Sequence, residues 1–173
     1  MVARIPLITE RTDDLTAEQA AAFDWVVGSR GRMIRPFEVL LHTPVIARLV
    51  AELGAQIRFE STLSDHDREL VIITAARLHD CAFEWDSHRP LAEAAGVRPE
   101  VIDHLRTGAP VELTHTESLL IGFVRELCAS SAVSEDTFAS AREHLGDSGT
   151  VELSATVGYY TLLGYVMGAC DAC

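Results

Sequence analysis

No run of apolar residues in this sequence approaches the roughly 20 that a membrane-crossing helix needs. The longest candidate, LSATVGYYTLLGYVMGAC, is interrupted by three glycines and three tyrosines and reads as a buried helix. Positive charge is scarce: 14 Lys and Arg stand against 26 Asp and Glu, a formal net charge of −12. Such a surface repels phosphate backbones, which argues against a nucleic-acid partner. The amino terminus, MVARIPLITERTDD, lacks the apolar segment of an export signal, so the expected compartment is the cytoplasm. Thiols stay reduced there, and the four cysteines are no disulfide scaffold. Strand-type alternation and hairpin dipeptides such as Asn-Gly are missing, as are low-complexity stretches and linkers. The expectation is one all-α domain spanning residues 1–173, with no nucleic-acid or membrane partner.

What is present is helix punctuation. Thr16, with Gln19 three residues on, opens AEQAAAFDWVVG with a capping-box pattern. Thr43-Pro44 opens VIARLVAELGAQIRF, with proline at the first helical position. Ser64 precedes DHDRELVIITAARLH, whose acidic first turn suits the helix dipole. Pro99 starts a short helix ending at Gly108. Thr116 is placed to cap ESLLIGFVRELCAS, Ser134 to cap EDTFASAREHLG, and Thr150 to cap the last helix. Apolar residues recur at three- and four-residue steps, as in Leu119, Phe123, Val124 and Leu127. The count is about seven or eight helices.

One stretch concentrates chemistry: RLHDCAFEWDSHRPLAEAAG, residues 77–96. Asp80 is a suitable N-cap, which would make Cys81 the first residue of a helix, where the dipole favours thiolate. At about 100° per residue, Glu84 lies about 60° from Cys81 around the helix and His88 about 20°. The three share one stripe. His88 exchanges protons near neutral pH, and Glu84 can orient it or take a proton. Pro90 removes an N–H and presses on the preceding turn, so the helix kinks or stops near it. A helical cysteine is also a common small buried hydrophobe, and a lone Glu or His is commonly surface charge or a satisfied core group. His79 with Cys81, Glu84 and His88 matches no structural zinc spacing, and no metal is assigned.

The wider pattern, LLHTP, then LSDHDRELVIITAARLHDCAFEWDSHRPLAEAAGV, then VSEDTFASAREHLGDSGTVELSATVGYY, resembles the carboxymuconolactone decarboxylase and alkylhydroperoxidase D (AhpD-like) superfamily. Within it the chain is similar to the branch with a Glu-Trp-x-x-His signature, here Glu84, Trp85 and His88. The resemblance runs from about Phe37 to Tyr160. It implies an AhpD-like helical bundle, assembly into a homo-oligomer (dimer, trimer or hexamer), a small-molecule substrate and no organic cofactor. It also implies a proton relay through Glu69 and His88 beside Cys81. In the alkylhydroperoxidase D members a second cysteine closes a C-x-x-C turn, and Glu84 replaces it here. A two-cysteine cycle then needs a sulfur from elsewhere, such as Cys170 or Cys173 of the terminal CDAC.

Three readings follow from this resemblance. The first is a lyase or decarboxylase working by acid–base chemistry on a small organic acid or lactone, with Glu84 and His88 as the pair and Glu69 in support. The second is a thiol peroxidase that uses Cys81. The third is a non-catalytic helical oligomer that binds a small ligand or partner. A turn at His79-Asp80 is required to bring Glu69 back to Cys81, because a straight helix sets them about 120° apart. Trp85, Tyr159 and Tyr160 are candidate pocket walls, with packing as the competing role. Arg30, Arg32 and Arg35 form a basic patch that either draws in a carboxylate or neutralises neighbouring acids.

Overall fold

The structure is a computed structural model that describes residues 3–173. It is all-α, with eight helices and no strand among the described residues. No helix among those residues is long and apolar enough to cross a membrane. The chain divides into two compact units, one made of the residues up to Glu60 with Tyr165–Cys173, the other of Ser61–Gly164.

In the first unit, helix α1 (Ala17–Arg30) begins at the expected capping box: Thr16 accepts from the Gln19 backbone, and the Gln19 side chain accepts from Thr16 N–H. It ends at Gly31, whose φ of 75° is the left-handed conformation glycine adopts without strain. Helix α2 (Arg35–Leu40) and helix α3 (Pro44–Phe59) follow, and α3 packs against both α1 and α2. Val26, Phe37, Leu41, Ala47 and Ala51 are completely buried. Arg30 belongs to this packing rather than to a substrate patch. Its guanidinium lies 4.7 Å from the Phe37 ring centroid and donates to the Ala51 carbonyl at 2.9 Å. His42 bonds the Pro6 carbonyl at 2.7 Å, and the Arg4 side chain pairs with Asp171 at 2.6 Å. The terminal CDAC is therefore tied down: the Arg4 amide donates to Cys170 O, and Asp171 turns the chain with a φ of 51°.

The second unit carries helices α4 (Asp65–Leu78), α5 (Ala82–Ala94), α6 (Pro99–Thr107) and α7 (His115–Ser130), with α8 (Glu135–Ala169) extending from it. Helix α4 is the axle. It packs on α5, α6 and α7, and the run from Leu70 to Ala76 is buried without a break. A helix apolar on all sides must be surrounded, which is why ELVIITAA shows no solvent face. Ser64 caps α4 as the sequence indicates.

Two boundaries differ from the sequence reading. The cap of α7 is Thr114 rather than Thr116, because Glu117, three residues after Thr114, completes the capping box. The last helix does not begin at a Thr150 cap. The backbone breaks at Gly146, with φ 71° and ψ 179°, and Thr150 donates back to the Gly146 carbonyl from within the following turn. Of the kink or stop that Pro90 left open, the stop does not occur: helix α5 runs through Pro90 to Ala94.

Candidate functional site

The site begins where α4 ends. His79 closes the helix, and Asp80 adopts a φ of 49°. The Cys81 amide donates to Ala76 O at 3.0 Å and the Asp80 amide to Arg77 O at 3.2 Å, which is the Schellman pattern of a helix end. The turn expected at His79-Asp80 is present, but its cause is different. Asp80 does not cap α5; its exposed side chain pairs with Arg77 at 3.3 Å. Cys81 itself is the N-cap residue of α5 and makes no side-chain capping bond. An aspartate in the left-handed region performs the reversal that glycine usually performs.

That reversal folds α5 back along α4 and lets Glu69 of one helix meet His88 of the other. Both side chains are almost wholly enclosed. His88 Nδ1–H donates to Glu69 Oε2 at 2.8 Å. With that proton fixed by the carboxylate, Nε2 is the nitrogen left for exchange. Nε2 faces two groups: the Tyr160 hydroxyl at 3.2 Å and Glu84 Oε2 at 3.6 Å. The Tyr160 ring stands edge-on to the imidazole, centroids 5.2 Å apart, and Tyr159 packs edge-on against Tyr160 at the same distance. Two carboxylates, an imidazole and a phenol thus converge in the buried interior where α4, α5 and α8 meet. Among the described residues no three His, Cys, Asp or Glu side chains are grouped as a metal ion would require.

Cys81, enclosed at the head of α5, borders a cleft of about 240 Å³ walled by Ala76, Arg77, Asp80, Ala82, Trp85 and Arg106. Cys81 lies about 10 Å from His88 along the helix axis, at 1.5 Å per residue. Trp85 is a wall of this cleft. Of the positions named from the sequence, Glu69, Glu84, His88 and Tyr160 come together. Cys81 and Trp85 face the neighbouring cleft, and Tyr159 buttresses Tyr160.

The cationic wall of the cleft comes from Arg77 and Arg106, which the sequence did not single out. Arg106 sits near the end of α6, and only the docking of that helix carries it to Cys81. A half-buried Cys128 lies elsewhere, with Sγ 3.9 Å from His79 Nε2 and 4.0 Å from the Thr161 hydroxyl. Burial pushes its thiol up and lowers His79, so both favour the neutral form.

Residues 44–113 match the carboxymuconolactone decarboxylase family. The matched segment contains Glu69, Cys81, Glu84, Trp85 and His88, so the resemblance read from the sequence is borne out there. The fold is that of AhpD-like proteins. An uncharacterized peroxidase-related protein from Ralstonia eutropha JMP134, described as an alkylhydroperoxidase AhpD core, superposes with a TM-score of 0.77 at 18% identity, covering 100% of this chain and 92% of that one. An uncharacterized peroxidase-related protein from Silicibacter sp. TM1040 superposes with a TM-score of 0.74 at 16% identity, covering 97% and 91%. No curated protein matches the sequence.

Proposed function

We propose that this protein is an acid–base enzyme of the decarboxylase or lyase kind, acting on a small organic acid or lactone with its own side chains. The observation that carries the reading is the fixed imidazole: Glu69 holds Nδ1–H at 2.8 Å while Nε2 faces Glu84 and Tyr160. A histidine oriented at one nitrogen and free to exchange at the other is the requirement for general acid–base work. In the step proposed, the carbon–carboxylate bond breaks, carbon dioxide leaves, and its electron pair passes to the conjugated acid. His88 or Glu84 then delivers a proton to the carbon. Tyr160 steadies Nε2. Glu84, standing where a second cysteine would close a redox pair, fits this chemistry.

A second reading rests on Cys81. Its place at the N-terminus of α5, beside a cleft walled by Arg77 and Arg106, lets a small oxidant approach the sulfur. As a peroxidase, the thiolate would attack a peroxide oxygen, the O–O bond would break to release an alcohol, one external thiol would condense with the sulfenic acid to a mixed disulfide and water, and a second would free the cysteine as the external disulfide leaves.

One panel separates the readings: carbon dioxide release from lactone acids, and thiol-dependent loss of alkyl hydroperoxide, each measured with wild type, H88A and C81S. On the acid–base reading H88A lowers kcat by about 10²- to 10⁴-fold and C81S retains lyase turnover. Loss of peroxide consumption in C81S, with no lactone acid turned over by wild type, would replace it with the second reading.

A further inference from the structure

The buried relay has a neighbour whose role the acid–base reading leaves open. Arg68 precedes Glu69 on α4, about 100° away around the helix, yet its side chain is only 11% exposed. Its Nε lies 3.7 Å from Glu69 Oε1, the oxygen that His88 does not use. That Nε is enclosed and has no hydrogen-bond partner. An enclosed N–H left without a bond is costly, so something must hold it there. The opposing charge of Glu69 supplies the reason. The other end of the guanidinium reaches Asp65 at 2.8 Å, a carboxylate whose side chain is 79% exposed.

We propose that Arg68 is a positioning residue of the relay: it keeps Glu69 anionic and thereby sets the pH at which His88 takes up and releases its proton. The inference rests on the acid–base role of His88, but its test needs no substrate.

The charge balance explains the sign. Glu69, Glu84 and Tyr160 are the ionisable groups in contact with the imidazole, and Arg68 is a cation paired with one of them, Glu69. Asp65 and Glu152 face Arg68 from its outer side. Burial pushes the Glu152 carboxyl up, but hydrogen bonds from Ser61 and Thr62 and the charge of Arg68 leave it below its usual range. Arg68 therefore already acts electrostatically on one carboxylate. With Arg68 present, the pair of carboxylates at His88 is partly compensated. Without it, the surplus negative charge draws a proton onto the imidazole, and protonation persists to higher pH.

The test is a titration of the His88 ring nitrogens by ¹⁵N NMR between pH 5 and 9 in wild type, R68Q, R68K and D65N. R68Q should move the His88 transition upward by roughly half a unit or more, the direction and order expected when a unit positive charge on the far side of Glu69 is lost. R68K keeps the charge and should stay within about 0.3 unit of wild type, a rescue that a packing role alone would not produce. D65N frees Arg68 from an outward partner and should move the transition downward by a few tenths. A His88 transition unmoved in folded R68Q overturns the proposal. Should R68Q not fold, an unmoved transition in D65N overturns it. If lactone acids are not turned over but the titration shifts as stated, the positioning role stands and the reaction assignment falls.

Discussion

The clamp between Arg98 and Glu117 offers a stability measurement whose size follows from the structure. Arg98 is the N-cap residue of α6, and Glu117 is the third residue of α7. Arg98 Nε donates to Glu117 Oε1 at 2.9 Å and Nη2 to Oε2 at 2.6 Å, while Nη2 also donates to the Glu112 carbonyl at 2.8 Å. The bidentate guanidinium, and bonds from Thr114, hold the Glu117 carboxyl down from 4.5 to about 2 against the effect of burial. A carboxyl depressed on folding contributes stability that is complete above its unfolded value and fades as pH falls towards its folded one. The window is therefore about pH 5 to 2. A gap of about 2.5 units corresponds to about 3.4 kcal/mol. Arg98 is 41% exposed, and screening on that side reduces the figure to roughly 2 kcal/mol. Glu117→Gln keeps an oxygen for the capping box and removes the charge. Urea denaturation at pH 7, 4.5 and 2.5 should show the variant less stable by roughly 2 kcal/mol at pH 7, with the difference nearly gone at pH 2.5. An equal deficit at both ends of the range would show that Glu117 acts by shape and not by charge, and would refute the reasoning. The consequence reaches the site: the clamp fixes the start of α6, and the end of α6 delivers Arg106 to the Cys81 cleft.

Two further outcomes are expected. A Cβ built on Gly164 would lie 2.9 Å from His79 Cβ, an atom rooted at the backbone that cannot swing aside, so Gly164→Ala should destabilise the protein by about 1 to 3 kcal/mol in thermal or urea unfolding. Unchanged stability would show that the close approach of His79 and α8 has slack. Burial raises the Cys128 thiol, so at pH 7.5 iodoacetamide should label Cys128 more slowly than the exposed Cys173, as read by peptide mass spectrometry; equal rates would contradict the enclosure seen around Cys128.

The sequence by itself determined the helices and the pairing of Glu84 with His88, but not the place of Cys81, which faces a separate cleft. The caps at Thr16 and Ser64, the proline that starts α6 at Pro99, and the unbroken apolar run after Glu69 depend on bonds and periodicities within a few residues, so they are legible without a fold. The i to i+4 placement of Glu84 and His88 is equally local. Tertiary structure decided the rest. The Thr114 cap of α7 is itself local, a box with Glu117 that a reading centred on Thr116 passes over; what packing added is the bond from Arg98, which lies 19 residues before Glu117 in the chain. Asp80 reverses the chain through its backbone, a conformation that its own side chain does not announce. Tyr160, 72 residues from His88, and Arg106, at the far end of a separate helix, reach the site and its cleft only through packing. Hydrogen bonds within one turn are written in sequence spacing. Those that close across helices depend on how buried surfaces dock, and no local pattern records that.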